Sequence, residues 1–497
     1  MKKVIYTLMF ATVLTGCSKW TEPETNTEEF EKAALKELKE NRDSAKWVAE
    51  AERTAENIKA QDVYWAQLTE YKKRTWLNTG EAGGQEPITY FWFEGGTWRT
   101  EKGNPRTWLQ AVPDSVTVVS IWGGAELQPK MLSANQKKDI EIFHKKGSAI
   151  LLCWQTPSVG LNLPAIDGKK GYQAFRERYP FAQNYDKWPE LYARDLARYI
   201  IALNFDGYDI DWEYGVGDHG KNHRDHATGQ DVIVYATAEA EQEAITLMLP
   251  STDSDPSYSR FQTNPKNYVP EGDPRAFENV GKFVKEIAKY FGPVGANQLV
   301  KTEAERQANL RALFDASTAG FLPAESKYIN EFKSILPANY ATKRYYLCCD
   351  VVNKGVGLPP VFRTGEMEKY FDKHFMQNYD SDDERPSNGW DIPVMNDLGG
   401  KYYNSTSANY QAGGFIRMPA KAQAVKQGRV WGLGAYHGQS DYGNTSENNA
   451  RFKNYLKDNN IKRNYLNYAW TREAIRIANP RPNYSLYKEN PPIIILP

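Results

Sequence analysis

The stretch FDGYDIDWEYG, Phe205 to Gly215, carries three carboxylates, Asp209, Asp211 and Glu213, at strict two-residue spacing. In a β-strand that spacing puts all three on one face, with neighbouring acids about 6.5 Å apart along the chain. Phe205, Tyr208, Ile210 and Trp212 pack around the same strand. Ionised acids on a buried face cost several kcal/mol unless they are protonated, hydrogen-bonded or solvated. A purely structural strand has little reason to carry that cost, and the aromatic flanks argue against a solvated surface.

Working outward, apolar strand runs alternate with amphipathic helices from Pro87 onward, the pattern of a parallel α/β fold. Eight strand candidates can be placed: Ile88 to Phe93, Val116 to Trp122, Ser148 to Trp154, Phe205 to Glu213, Tyr345 to Val352, Phe371 to Tyr379, Gly413 to Met418 and Val430 to His437. Eight is the number that a (β/α)8 barrel, the TIM-barrel fold, requires. Leu191, Leu196, Tyr199, Ile200 and Leu203 recur at helical spacing, so Trp188 to Leu203 reads as the crossover helix into the acidic strand. Between strands four and five only Ala276 to Phe291 reads as the expected helix. The rest, Gly217 to Asp273 and Val294 to Lys343, reads as long insertions that shape a substrate groove.

Composition bounds the function. The 497 residues hold 62 basic and 62 acidic side chains, so no net field draws the chain to nucleic acid or to an anionic membrane. The 14 Trp and 31 Tyr suit sugar stacking, and equally a large core. There is no GxSxG and no GxxxxGK followed by Ser or Thr, which disfavours triad hydrolases and phosphate-loop nucleotide chemistry.

At the N-terminus, Lys2 and Lys3 precede an apolar run from Val4 to Leu14 and the tetrapeptide Leu14-Thr15-Gly16-Cys17. The run is shorter than the ~20 residues that span a bilayer, so it reads as an export signal. The tetrapeptide resembles a bacterial lipobox, which implies cleavage before Cys17 and lipidation of that residue. Cys153, Cys348 and Cys349 lie in apolar runs without CxxC spacing, so buried thiols are expected and no disulfide framework. Residues 18–86 form a polar tether and a charged helical segment from Glu29 to about Ala60, a stalk or a helix leaning on the barrel, with the solvated spacer the favoured reading. Residues 87–480 form the barrel, and 481–497 a tail.

Asp206, Gly207, Asp209, Asp211 and Glu213 together resemble the DGxDxDxE signature of glycoside hydrolase family 18, the chitinases and endo-β-N-acetylglucosaminidases. YHGQSDYGN (Tyr436 to Asn444) and YAWTREAIRIANP (Tyr468 to Pro480) are similar to the closing strand and last helix of a Bacteroidetes lipoprotein branch of that family. The resemblance implies substrate-assisted retaining hydrolysis, in which the substrate's 2-acetamido oxygen is the nucleophile. Glu213 would be the acid and base, Asp211 would orient the acetamide N–H and stabilise the oxazolinium, and Asp209 would share a proton with Asp211. Tyr379 would donate to the acetamido carbonyl, and Gln377, in the same MQNYD run, would contact the sugar.

Trp92, Trp122 and Trp154 end the first three strands and serve equally well as sugar platforms or as barrel filling; Tyr436 is a further contact candidate. The third strand carries CWQTPS where many chitinases have SxGG, and Tyr436-His437 ends the eighth without the usual Trp. Both departures favour the endoglycosidase branch, cutting the GlcNAc-β-1,4-GlcNAc core of N-glycans, over a chitinase-like enzyme or a non-catalytic glycan-binding lipoprotein. The resemblance implies an outer-membrane lipoprotein, at the cell surface or on the periplasmic face, a GlcNAc-containing glycan or glycoprotein as substrate, and neighbouring glycan-uptake proteins as partners. It implies no cofactor. His219 and His223 in DHGKNHRDH are four apart, a possible metal pair on a helix, but Gly217 and Gly220 argue for a loop, and no metal is assigned.

Overall fold

The computed structural model describes residues 55–77, 87–94, 98, 107–122, 127–155, 163–164, 169, 171–212, 274–351, 359–363, 365–375, 377, 405–410, 414–427, 432–442 and 468–478. Eight parallel strands form one sheet: β1 Ile88–Glu94, β2 Val118–Trp122, β3 Ala149–Gln155, β4 Gly207–Trp212, β5 Tyr346–Val351, β6 Lys373–His374, β7 Ser405–Asn409 and β8 Gly432–Tyr436. Its order is β6-β5-β4-β3-β2-β1-β8-β7, so consecutive strands pair from β1 to β6, β7 pairs with β8, and the first strand pairs with the last. Doubly wound sheets reverse their strand order at a switch point; this order winds one way, as in a barrel. Among the described residues no ladder joins β6 to β7.

Alternation along the strands separates two cores. Ile88, Tyr90 and Trp92 of β1 pack inside the curl with Val118, Leu151, Cys153, Cys348 and Phe375. Phe91, Phe93, Tyr208, Ile210 and Trp212 point outward into the layer of helices. The helix Trp188–Ala202 is covered on nearly every side, and its Tyr192 meets Phe283 of the helix Pro274–Ile287 at 5.3 Å. Asn204 at φ 61° ends the turn after it, a left-handed position that Asn tolerates.

Gly207 opens β4 at φ 147°, where a Cβ would stand 1.9 Å from the Tyr346 carbonyl oxygen. Only glycine lets β5 approach so closely. Asp206 beside it is an anchor at the N-terminal end of the sheet. It accepts from the Ile150 amide at 2.7 Å, and its carboxylate pairs with His144 at 2.9 Å and Lys343 at 2.9 Å. Burial alone would raise its pKa, but the charges of His144 and Lys343 outweigh burial and hold it at about 2.

Four expectations are corrected. The seventh strand is Ser405–Asn409, and the apolar run Gly413 to Met418 instead leads through a 3-10 turn, Gly414–Arg417, into the helix Met418–Lys426. β6 ends at His374, so Gln377 follows the strand rather than lying on it. The helical segment does not end near Ala60: the helix Ala55–Leu77 runs on and docks on the sheet's N-terminal end, while residues 29–54 lie outside the described residues. Lys72 Nζ donates to the Val116 carbonyl at 2.7 Å, Thr75 and Thr117 hydroxyls meet at 3.0 Å, and Trp76 stacks on Tyr346 at 3.9 Å.

The fourth correction concerns residues 294–343, which follow a crossover helix and therefore return to the strands' N-terminal ends, away from any groove at the other end. The helix Glu325–Lys333 is fastened there to the crossover helix, because the fully buried Arg198 guanidinium donates to Asp195 at 2.9 Å and to Glu325 at 2.8 Å. Cys153, Cys348 and Cys349 are buried free thiols. No helix among the described residues is long and apolar enough to cross a membrane.

Candidate active site

Asp209 and Asp211 occupy alternate positions of β4 and are 0% and 3% exposed, while Tyr208, Ile210 and Trp212 between and beyond them join the outer core. Period two therefore aims both acids into the curl of the sheet. Glu213 and Tyr379 lie outside the described residues, as do Cys17 and the loop from Asp218 to His226.

Asp209 is the deeper acid. Its Oδ2 accepts from the Tyr90 hydroxyl, from Trp92 Nε1 at 2.9 Å and from Ser120 Oγ at 3.1 Å. Hydrogen bonds to a charged group contribute about 1.5–3 kcal/mol each, so these donors can offset a burial cost of several kcal/mol. Burial nonetheless prevails and raises the Asp209 pKa, with Tyr90, Trp92, Cys153 and Ser120 pulling it back. Tyr90 is itself held by Phe375, whose ring stacks on it at 3.6 Å, and burial drives its pKa well above 10.

Asp211 lies one step nearer the C-terminal end. Trp122 Nε1 approaches its Oδ2 at 3.3 Å, and Gln377 Nε2 approaches its Oδ1 at 3.4 Å. The same Gln377 nitrogen donates to Asp350 Oδ2 at 3.0 Å. Asp350 is the register partner of Asp211 on β5 and is equally buried.

The structure thus brings Asp209, Asp211, Gln377, Trp92 and Trp122 to one place. Trp92 takes a different part from a platform, since it is 1% exposed and its indole is spent on Asp209. Trp122 and Trp154 are half-buried at adjacent strand ends, ring centroids 4.4 Å apart, and Tyr436 is half-buried at the end of β8. Beside it, His437 stands in the left-handed region at φ 54°; its Nε2 meets Glu94 at 2.9 Å, and Gln439 contacts its Nδ1 at 3.2 Å.

Sequence reading missed Tyr90, Ser120 and Asp350. The first two lie two residues before Trp92 and Trp122, so period two alone could have nominated them as inward-facing. Asp350 gave a weaker signal, a lone acid closing an apolar run.

Cys153, Asp209 and Asp350 bring potential ligand atoms within 4.8 Å of one another. Asp209 Oδ2 takes three donors and Asp350 Oδ2 takes Gln377. Burial raises the Cys153 thiol well above 9, which opposes the thiolate a metal needs.

No protein-family description matches the chain, and no curated protein matches it. Among solved structures it is similar to an endo-β-N-acetylglucosaminidase from Cordyceps militaris in apo form, at 13% identity and a TM-score of 0.38, over 84% of this chain and 95% of that one. A variant of the same enzyme in complex with fucosyl-N-acetylglucosamine-Asn gives 12% identity and a TM-score of 0.37, over 84% and 95%. A D-psicose 3-epimerase from Clostridium cellulolyticum gives 10% and 0.27, over 80% and 98%.

Proposed function

We propose that the chain is a retaining endo-β-N-acetylglucosaminidase, cleaving between the two core GlcNAc residues of N-linked glycans by substrate assistance on a closed (β/α)8 barrel. One observation carries the reading: Asp211 faces inward near the C-terminal end of β4, 3% exposed, with Trp122 and Gln377 directed at its two oxygens and the more deeply buried Asp209 below it. Two ionised carboxylates about 6.5 Å apart repel by about 2.5 kcal/mol at an effective dielectric of 20. Burial already favours the protonated form of Asp209. Asp211 is then the ionised member of that pair, as a group that orients an acetamide and balances a cation must be.

In the first step the acetamido oxygen attacks the anomeric carbon while Glu213 passes its proton to the departing glycosidic oxygen. Asp211 accepts the acetamide N–H and Tyr379 donates to the acetamido oxygen. Water then opens the oxazolinium, giving its proton to Glu213, and configuration is retained. Half-buried Trp122, Trp154 and Tyr436 suit the stacking of neighbouring sugars. The lipobox at Leu14 to Cys17 supports a lipid-held protein of the outer membrane, facing glycoprotein substrates and acting beside glycan-uptake proteins.

The test is to incubate residues 18–497 with high-mannose and complex N-glycoproteins beside chitin oligosaccharides, and to identify released glycans by mass. Glycans ending in one core GlcNAc are expected, and Glu213→Gln should reduce their release at least ~10²-fold. Near-parental release by Glu213→Gln, or cleavage confined to chitin oligosaccharides, overturns the reading.

A further inference from the structure

We infer that Asp350 is a positioning residue: by accepting from Gln377 Nε2 it fixes which end of that amide faces Asp211, and so sets how Asp211 meets the substrate's acetamide. The inference rests on the substrate-assisted reading of the site. Gln377 needs such a device. β6 ends at His374, so no ladder residue aims the Gln377 side chain. An amide presents a donor end and an acceptor end of nearly the same shape, and its partners decide between them.

Here one nitrogen serves two carboxylates, Asp350 Oδ2 at 3.0 Å and Asp211 Oδ1 at 3.4 Å. The shorter contact is to Asp350, a side chain 2% exposed on the strand beside Asp211 and in register with it. An ionised carboxylate accepts only, so it excludes the flipped amide, whose oxygen would face both acids. Without Asp350 the flipped form sets a carbonyl oxygen against Asp211, turning a donor into a repulsive neighbour at the group that must stay charged and aimed.

The experiment is a double-substitution cycle of Asp350→Leu and Gln377→Leu, with Asp350→Asn as the conservative variant, each checked for folding by thermal denaturation. Asp350→Leu should lower kcat for glycoprotein cleavage on the order of tenfold or more with little change in KM. Asp350→Asn keeps an acceptor but adds a donor that tolerates the flipped amide, so it should recover only part of that loss. In the Gln377→Leu background, Asp350→Leu should cost nothing further, since partners acting as one unit are non-additive.

Losses that multiply, or an unchanged kcat in Asp350→Leu, overturn the inference. A neutron crystal structure of Asp350→Leu, in which the amide's exchangeable hydrogens are seen directly, decides it independently of turnover: Gln377 Nε2 displaced from Asp211 supports it, and Nε2 still within ~3.5 Å of Asp211 overturns it. A parent protein that cleaves no glycan at all defeats the proposed function instead, and that crystal structure still decides the role of Asp350.

Discussion

Trp92 Nε1 stands 2.9 Å from Asp209 Oδ2, sharing that oxygen with Tyr90 and Ser120. The tryptophan at this position thus works on a carboxylate's protonation. Donors stabilise the ionised form, so removing one raises a pKa that burial has already raised. Trp92→Phe keeps most of the ring volume and loses the N–H. Because the reading needs Asp209 protonated, the basic limb of its kcat/KM profile should move to higher pH, with KM for glycoprotein little changed. A higher KM with an unmoved basic limb would return Trp92 to the role of a sugar platform.

Asp211→Asn should depress hydrolysis of the natural glycoprotein while still allowing an activated sugar oxazoline to be transferred to a GlcNAc acceptor. The variant keeps the shape of a side chain held between Trp122 and Gln377 but loses the charge that balances the oxazolinium. Parental hydrolysis rates in Asp211→Asn would show that acetamide participation does not run through this residue.

Acetamide participation uses carboxylates and a tyrosine hydroxyl and asks for no Lewis acid. Exhaustive treatment with EDTA should leave the rate unchanged within error, and a thiazoline analogue of the intermediate should inhibit. If chelation abolishes activity, added zinc restores it and the thiazoline has no effect, the chemistry belongs to a metal-bound hydroxide instead.

Trp154 lies half-buried against Trp122 at the strand ends, 4.4 Å between ring centroids. Aromatic contacts of this kind contribute about 0.5–1.5 kcal/mol beyond area burial. Trp154→Ala should therefore raise KM severalfold, with kcat largely preserved. A fall in kcat at constant KM would place Trp154 in the chemistry rather than in substrate binding.

Asp206 carries the stability prediction. His144 and Lys343 outweigh its burial and hold its pKa at about 2, below the ordinary 3.8. A depressed folded-state pKa gives stability that is present above pH ~4 and is lost as pH falls toward 2. Asp206→Asn should cost about 2 kcal/mol or more near neutrality, since it also leaves Lys343 buried without its counter-charge. In urea titrations the gap between parent and variant should close between pH 4 and 2. A gap independent of pH would mean that the neutral hydrogen bond from Ile150, and not charge, is what matters.

Where sequence periodicity and burial agree, the chain was easy to read. β4 could be placed because Tyr208, Ile210 and Trp212 face one core while Asp209 and Asp211 face the other, and only a strand sorts them so. β7 was hidden because STSAN carries almost no apolar signal, whereas the neighbouring GGFIRM is apolar enough to pass for a strand. The site was legible for the acids that share a strand. The groups that tune them, Tyr90, Ser120 and Asp350, come from other strands, and register between strands is a long-range property that no single stretch of sequence states.

The docked helix Ala55–Leu77 also has a directional consequence. It grips the end of the sheet where Asp206 and the starts of β2 and β5 lie, opposite the strand ends that hold Trp122 and Trp154. A lipid at Cys17, as the sequence predicts, would pull on the protein from that far pole. Under that proposal the helix acts as a mount at one pole, and the strand ends that hold Trp122 and Trp154 lie at the other, away from the point of attachment.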